Sequence, residues 1–170
     1  RVEMAGAFAD LLVIPALAQF HAQFPDIQID LGVGDRTVDY LAENVDCALR
    51  AGALRDQSLI ARKVGEMAIV ACAAPRYLEE FGLPRHPTDL ADRHHCVNYF
   101  LATTNRTMPF DFRREGENIQ VNSRYIVSVN DARSYLAAAL SGLGVAPLAH
   151  FMAADALRQG QLVEDLPEWH

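Results

Sequence analysis

The chain has 170 residues, of which 51% are hydrophobic and 22% charged, and its formal net charge is −7. This length holds one ordinary domain or two small lobes with a real hydrophobic core, and the composition argues against a disordered chain. The acidic charge and the scattered basic residues argue against direct nucleic-acid binding by this segment. No apolar run reaches the roughly 18 residues that a membrane-spanning helix needs.

Three cysteines, Cys47, Cys72 and Cys96, lie far apart in the sequence and form no metal-binding pattern. They predict reduced, mostly buried thiols in a cytoplasmic protein. The chain does not begin with Met, and we expect it to be part of a longer protein.

The first half predicts a parallel sheet. Residues 1–8 alternate like a strand and turn at Gly6 into a helix over 11–24, which Pro15 either kinks or restarts. Residues 27–33 predict a strand, 38–45 a helix and 46–50 a second strand, an order that implies a right-handed crossover. Ligands bind beyond the carboxyl ends of such strands, so residues 34–37 and 50–52 are candidate site segments.

The second half alternates strands and helices. Residues 59–72 are rich in β-forming residues and predict two strands or one strand that crosses between lobes. Helices are predicted at 75–81, at 88–90 with Thr88 as its cap, at 132–140 after the cap Asn130-Asp131, and at 151–159. Strands are predicted at 95–100, 125–129, 144–148 and 162–166, and a hairpin joins 110–113 to 119–122. The chain is therefore predicted to form two α/β lobes that divide near Val70.

Several short motifs occur in a fixed order along nearly the whole chain. They include Ile14-Pro15-Ala16-Leu17, Phe24-Pro25-Asp26-Ile27, Val45-Asp46-Cys47-Ala48-Leu49-Arg50-Ala51-Gly52, Ala73-Ala74-Pro75-Arg76-Tyr77-Leu78 and Leu140-Ser141-Gly142-Leu143-Gly144. This ordered set resembles the effector-binding domain of LysR-type transcriptional regulators. The resemblance implies an α/β, periplasmic-binding-protein-like fold of type 2, in which two Rossmann-like lobes are joined by crossover strands. It also implies a small-molecule effector in the cleft between the lobes.

The resemblance further implies a longer regulator, in which a winged helix-turn-helix precedes this segment and alone contacts DNA. Lobe I would comprise residues 1–70 plus 162–170, with its C-terminal part incomplete, and lobe II residues 71–161. A homodimer or homotetramer is implied, with pairing faces around residues 17–24 and 135–140. The alternative is that these apolar faces pack only on their own sheets.

Carrying the family's cleft over to this sequence predicts four groups of effector-binding residues. They are Gly6, Ala7 and Phe8; Gly34, Asp35, Arg36 and Thr37, with Arg50 nearby; Asn98, Tyr99 and Phe100; and Val129, Asn130 and Asp131. Helix starts favour an anionic group, and Tyr99 and Phe100 offer rings for stacking, so we expect a small organic anion, with an aromatic ring as one option. Alternatively, Asp35 and Asp131 cap helices, and Arg50 pairs with an acidic neighbour.

Two other classes of function were weighed, an enzyme and a free-standing solute-binding protein. No nucleophile elbow, His-Glu-x-x-His helix or phosphate loop occurs, and the segment 32–34 matches only the first two glycines of a dinucleotide fingerprint. His94, His95 and Cys96 are adjacent and cannot all face one ion from a strand. The sequence therefore predicts no enzyme, no cofactor and no metal. The unpaired cysteines and the absence of an export signal argue against a periplasmic solute binder.

Overall fold

The computed structural model describes residues 1–36, 38–52 and 59–169. The chain divides into two compact units, Arg1–Met67 and Ala68–His170. Thr37, from the second predicted site group, and residues 53–58 lie outside the described residues.

The first unit contains a three-stranded parallel sheet. Its strands are β1 (Val2–Met4), β2 (Leu31–Val33) and β3 (Cys47–Leu49), in the order β2-β1-β3. Val2 pairs with Leu31 on one side and with Cys47 on the other. The parallel sheet that the sequence predicts is confirmed, although each strand is shorter than its apolar pattern. The carboxyl ends of all three strands meet at one edge, where residues 5–6, 34–36 and 50 follow them.

A helical segment follows β1 directly. It consists of α1 (Gly6–Phe8), a π-helical stretch (Ala9–Val13) and α2 (Ile14–Gln23). Pro15 lies in the first turn of α2. This position suits proline because its ring fixes φ at a helical value and its missing N–H group is of least consequence in a first turn. Of the two predicted effects of Pro15, a restart of the α-helix is observed, and helical structure begins earlier than predicted.

The predicted helix over 38–45 is wrong, since the described residues there form only a turn. The Asp39 carboxylate accepts hydrogen bonds from the backbone N–H groups of Leu41 and Ala42, at 3.1 and 3.0 Å. Asn44 adopts a positive φ of 52° and ends the turn. Leu41 keeps 84% of its surface exposed. The apolar residues at helical spacing therefore do not form a buried face, and helix propensity alone does not sustain so short a helix.

The prediction of two strands, or of one strand that crosses between lobes, over 59–72 is also wrong for most of that segment. Only β4 (Ile69–Ala73) is a strand, and residues 60–68 have no regular structure. The side chain of Ile60 is fully exposed and that of Val64 is 76% exposed. Residues that favour strands do so by packing against neighbouring strands. Residues 60–68 pair with no strand in the described part of the chain, so their composition alone did not produce one.

The second unit is built on two three-stranded sheets and a hairpin. In the first sheet β4 is central and pairs antiparallel with β10 (Ala146–Ala149) and β11 (Val163–Asp165). In the second, β5 (His95–Leu101) is central, antiparallel to β6 (Arg106–Thr107) and parallel to β9 (Arg124–Val129). The sheets are bridged where the N–H of Val97 donates to the carbonyl of Val145 at 2.9 Å and the N–H of Val145 donates to the carbonyl of His95 at 3.0 Å.

The predicted hairpin is confirmed as β7 (Phe110–Arg114) and β8 (Glu117–Val121). Glu115 and Gly116 form its two-residue turn with φ values of 48° and 87°. Two positive φ values are required by the type I′ turn, whose twist matches that of paired strands.

Four helices complete the second unit, α3 (Pro75–Phe81), α4 (Asp89–Asp92), α5 (Ala132–Leu140) and α6 (His150–Arg158). Their predicted positions are confirmed to within a few residues. The predicted cap Thr88 makes no capping hydrogen bond with its side chain. The Asp89 carboxylate instead accepts from the N–H groups of Arg85 and His86, at 3.0 and 3.1 Å. The bond from Arg85 is the largest of the effects that lower the pKa of Asp89.

Two apolar clusters form the core of the second unit. One joins α5 and α6 to β4, β5 and β10, and the other joins α3, α4 and the hairpin to the opposite side of the strands. Leu166 and Trp169 belong to the second cluster. The structure therefore places residues 162–169 in the second unit, where β11 pairs with β4, and not with residues 1–70 as the sequence analysis expected.

Candidate functional site

The first predicted site group lies at the carboxyl edge of the parallel sheet. The N–H of Gly34 donates to the carbonyl of Met4 at 2.9 Å, which holds the segment after β2 beside the start of α1. From there the Asp35 carboxylate accepts a hydrogen bond of 3.1 Å from the N–H of Gly6. Ala7 is buried and Phe8 is half-buried in the next positions. Two segments separated by 29 residues are thus joined by a helix-capping contact.

Arg50 secures the same edge from the end of β3. Its Nη1 donates to the carbonyl of Gly34 at 3.0 Å and its Nη2 to the carbonyl of Arg36 at 3.1 Å. Its Nε is buried and has no hydrogen-bond partner among the described residues. These contacts join Arg50 to backbone carbonyls and not, as the alternative interpretation had predicted, to an acidic side chain. The guanidinium holds two backbone carbonyls and so shapes the turn that carries Asp35.

These contacts change the interpretation of the first helix start. The N–H of Gly6, predicted to face an anionic effector, already donates to a carboxylate of the chain itself. Asp35, predicted as a cap for a helix after residue 37, instead caps the helix that begins at Gly6. The predicted parallel sheet was a signal for this contact. Neighbouring parallel strands end at the same edge, so the residues that follow them lie close together.

The second unit forms a separate edge where β5 and β9 end side by side. Tyr99 is opposite Val129 in the parallel register. The Tyr99 hydroxyl donates to the carbonyl of Asn130 at 2.9 Å, and its ring meets that of Tyr135 edge-on, with ring centroids 5.7 Å apart. Tyr99, Val129 and Asn130, which the sequence placed in two groups, therefore lie together, with the start of α5 directly after them.

Asp131 is the N-cap of α5, as the alternative interpretation of this residue predicted. Its Oδ1 accepts from the N–H of Ser134 at 2.9 Å. Burial raises the pKa of Asp131, but the hydrogen bonds that its carboxylate accepts from Ser134 and Arg133 outweigh this effect, and the pKa is lowered. The carboxylate is therefore ionised at neutral pH and already bound to the helix start.

Asn98 and Phe100 point to the opposite face of β5 from Tyr99, because side chains alternate along a strand. Asn98 is only 5% exposed, and its Oδ1 accepts from the hydroxyl of Ser123 at 3.2 Å. Ser128 is opposite Asn98 on β9, and its hydroxyl is buried without a hydrogen-bond partner in the described part of the chain. Sequence reasoning missed Ser128, since a serine within an apolar strand gives no signal by itself.

His94 and His95, which were candidates for metal binding, both contact Tyr77 of α3. The Tyr77 hydroxyl lies 3.3 Å from Nδ1 of His94 and accepts a hydrogen bond of 2.8 Å from the N–H of His95. Burial is the main cause of the lowered pKa of His94. Across residues 1–36, 38–52 and 59–169 no group of three His, Cys, Asp or Glu side chains is arranged to hold a metal ion. Over the same residues no helix is both long and apolar enough to cross a membrane.

The profile of the LysR substrate binding domain matches residues 1–170. The chain belongs to this family. The LysR domain is 35% identical over 167 residues to an uncharacterised HTH-type transcriptional regulator of Escherichia coli, YhjC, and this match covers 98% of the chain and 56% of the regulator. The LysR domain thus spans about half the length of the curated relatives it matches.

Solved structures agree with this assignment. The full-length virulence activator AphB of Vibrio cholerae superposes with a TM-score of 0.83 and 26% identity, covering 99% of the LysR domain and 57% of AphB. The regulatory domain of CrgA from Neisseria meningitidis superposes with a TM-score of 0.79 and 26% identity, covering 98% of the LysR domain and 80% of that chain. The mixed α/β, periplasmic-binding-protein-like fold that the sequence predicted is confirmed.

Proposed function

We propose that the LysR domain senses a small organic effector at a strand edge, and each unit offers one candidate edge, considered by itself. The candidate residues are Gly6 to Phe8 with Gly34 to Arg36 and Arg50 in one unit, and Asn98 to Phe100 with Val129 to Asp131 in the other. The observation that carries this proposal is that predicted residues from distant segments assemble at the carboxyl edge of a sheet in each unit. Such edges are where α/β sheets bind ligands. The function rests on family membership, and the residues are our proposal.

A small organic anion remains the first chemical class to test. The contacts of Asp35 and Arg50 limit which groups of the first edge such an anion would bind. Asp35 already caps Gly6, so an anionic group would not use that N–H. Arg36 and Arg50 bring positive charge to the same edge and offset the charge of Asp35. We therefore place an anionic group near Arg36 and Arg50 at the first edge. At the second edge, Tyr99 offers a ring against which an aromatic effector would stack.

The test uses a matched pair of probes, benzoate and benzamide, together with a panel of aliphatic and aromatic acids, in thermal-shift and calorimetric titrations. A bound acid should raise the melting temperature, and its amide should bind at least tenfold more weakly. Arg50→Ala and Arg36→Ala should weaken the acid but not the amide. If both variants bind acids as the wild type does, the anion assignment is refuted.

Tyr99→Ala tests the second edge, and Tyr125→Ala is its matched control. Tyr125 lies at the amino end of the same β5–β9 pair and is 52% exposed. A probe that stacks on Tyr99 should lose about 1–3 kcal/mol of binding free energy in Tyr99→Ala, as expected for an aromatic anchor. Tyr125→Ala should bind as the wild type does. Equal affinities in the two variants would refute the role of Tyr99.

We further infer that effector binding controls DNA binding by an N-terminal winged helix-turn-helix of a longer regulator, in the cytoplasm. The relatives carry the HTH-type name, and the LysR domain matches only about half of their length. The assignment is to a regulator and not to an enzyme or a solute-binding protein. Gel-shift titrations of the full-length regulator, with and without a bound acid, test the control. Turnover of any bound acid would contradict the non-enzymatic assignment.

Self-association into a homodimer or homotetramer is the remaining part of the proposal. No residue of α2 is buried, and Ile14 and Phe24 at its ends are each 48% exposed. By contrast, Tyr135, Ala138 and Ala139 of α5 are buried in the core of their own unit. We therefore place the pairing face on residues 17–24. Light scattering that shows a monomer at high concentration would refute it.

A further inference from the structure

Asp165 is a buried acid that the proposed effector site does not use. It is the last residue of β11 and only 1% exposed, and both of its carboxylate oxygens lack a hydrogen-bond partner among the described residues. Buried polar groups in folded proteins are nearly always hydrogen-bonded, and an unpaired buried charge is strongly unfavourable. The position of Asp165 therefore favours a neutral, protonated carboxyl.

The surroundings of Asp165 do not offset a negative charge. It is opposite Ala71 in the antiparallel pair, which places its side chain on the face that the apolar cluster around Tyr77 and Trp169 covers. The ionisable groups that interact with it are Cys72 of β4, Tyr77 of α3, Cys96 of β5 and Glu164 of β11. All of these groups are neutral or negative, so ionisation of Asp165 gains no electrostatic partner from the described elements packed against it.

The segment that carries Asp165 pairs with a single neighbouring strand in the part of the chain that the structure describes. Within the described residues β11 has three residues and pairs with β4 alone, and Leu166 after it adopts a φ of 54°. Further on, Trp169 is 4% exposed. Its ring has the Arg114 guanidinium at 4.4 Å and the His86 ring at 5.3 Å, and Arg114 also pairs with Glu168 at 3.1 Å. The release of β11 would therefore expose Trp169.

We propose that Asp165 is a pH-sensitive latch, which holds β11 against β4 while its carboxyl is protonated and releases β11 and Trp169 when the carboxyl ionises. Burial raises the pKa of Asp165 from 3.8 to about 7, and Glu164 adds to this effect. Below pH 4 the carboxyl is neutral whether β11 is docked or released. Between pH 4 and about 7 only the released form ionises, so the opening equilibrium rises about tenfold per pH unit and then levels off.

Hydrogen exchange of the β11 amides in the chain 1–170, corrected for the intrinsic effect of pH, measures this opening. Wild-type protection should fall about tenfold per unit between pH 5 and 7 and level off above. Asp165→Asn should keep one protection value across this range. The fluorescence of Trp169, the single tryptophan of the chain, should shift to the red with rising pH in the wild type and stay unchanged in Asp165→Asn.

Two control variants separate Asp165 from other groups that titrate nearby. Glu164→Gln removes the adjacent acid, and His86→Gln removes the imidazole that contacts Trp169; both should keep the pH dependence. Loss of the dependence in His86→Gln, or its persistence in Asp165→Asn, would overturn the proposal. If Asp165→Asn does not fold, carboxyl carbon NMR of the wild type decides, because titration of Asp165 near pH 4 would equally overturn it.

Discussion

Tyr77→Phe tests the hydrogen bonds that tie α3 to the start of β5. Tyr77 is 2% exposed, and burial raises the pKa of its hydroxyl to about 12, so the hydroxyl keeps its proton at neutral pH. The oxygen accepts from the N–H of His95 at 2.8 Å, and the proton points toward the carbonyl of His95 at 3.2 Å or Nδ1 of His94 at 3.3 Å. The ring also stacks on Phe81, with centroids 4.7 Å apart. Phenylalanine preserves the ring and removes only the hydroxyl.

The expected loss of folding stability follows from the hydrogen-bonding groups that lose their partner when the Tyr77 hydroxyl is removed. The carbonyl of His95 retains the N–H of Val145 as a donor at 3.0 Å, but the N–H of His95 loses its acceptor. An unsatisfied buried donor costs about 1–3 kcal/mol. For a chain of this size that corresponds to a melting temperature lower by roughly 3–10 °C.

Urea unfolding followed by the fluorescence of Trp169 measures this loss, because that residue reports on the second unit. The matched control is Tyr125→Phe, whose ring is 52% exposed and whose change should stay within about 0.5 kcal/mol. Exchange of the His95 amide, measured by NMR, should accelerate only in Tyr77→Phe. Equal stability of the two variants would refute the reasoning.

Two further predictions concern a close backbone approach and the thiols. Gly144 has a φ of 145°, and a Cβ there would lie 2.4 Å from the carbonyl oxygen of His95, whereas Gly160 has a φ of 69° with open space around it. Gly160→Ala should therefore cost about 1–2 kcal/mol in urea unfolding, and Gly144→Ala distinctly more; equal losses would contradict the steric argument. Burial raises the pKa of Cys72 to about 12 and of Cys96 to about 11, while Cys47 is exposed. A thiol reagent should label only Cys47 in the native chain and all three cysteines in denaturant; rapid labelling of two in the native chain would contradict their burial.

The alternating and helical patterns of the second unit were sufficient to locate its elements because each apolar face packs on a neighbour. The helix at 132–140 illustrates this, since its predicted face contributes Tyr135, Ala138 and Ala139 to the core, and Asp131 caps it as predicted. The segments at 38–45 and 60–68 carry comparable patterns, but Leu41, Ile60 and Val64 remain exposed and neither segment forms a helix or strand. The periodicity of apolar residues thus predicted a helix or strand correctly where the apolar face is buried, and incorrectly where it stays exposed.

In the candidate site, too, some features could be predicted from the sequence and others became visible only in the structure. The sequence indicated the segments that follow the strands and the capping role of Asp131, because both depend on local order along the chain. It did not indicate that Asp35 caps the helix at Gly6 or that Arg50 holds the carbonyls of Gly34 and Arg36. Nor did it indicate that the Ser128 hydroxyl is buried with no hydrogen-bond partner in the part of the chain that the structure describes. Those contacts join residues far apart in sequence, and their partners are set by strand register.

The sequence alone determined the α/β class and the positions of most elements, since these follow from local patterns of apolar residues, caps and turns, and its ordered motifs resembled those of the LysR family. Only the tertiary structure decided that residues 162–169 pack in the second unit and that Asp165 is buried with no hydrogen-bond partner among the described residues. The physical reason is that the environment of a side chain depends on which strand lies next to it, and the pairing of β11 with β4 brings together segments about 90 residues apart.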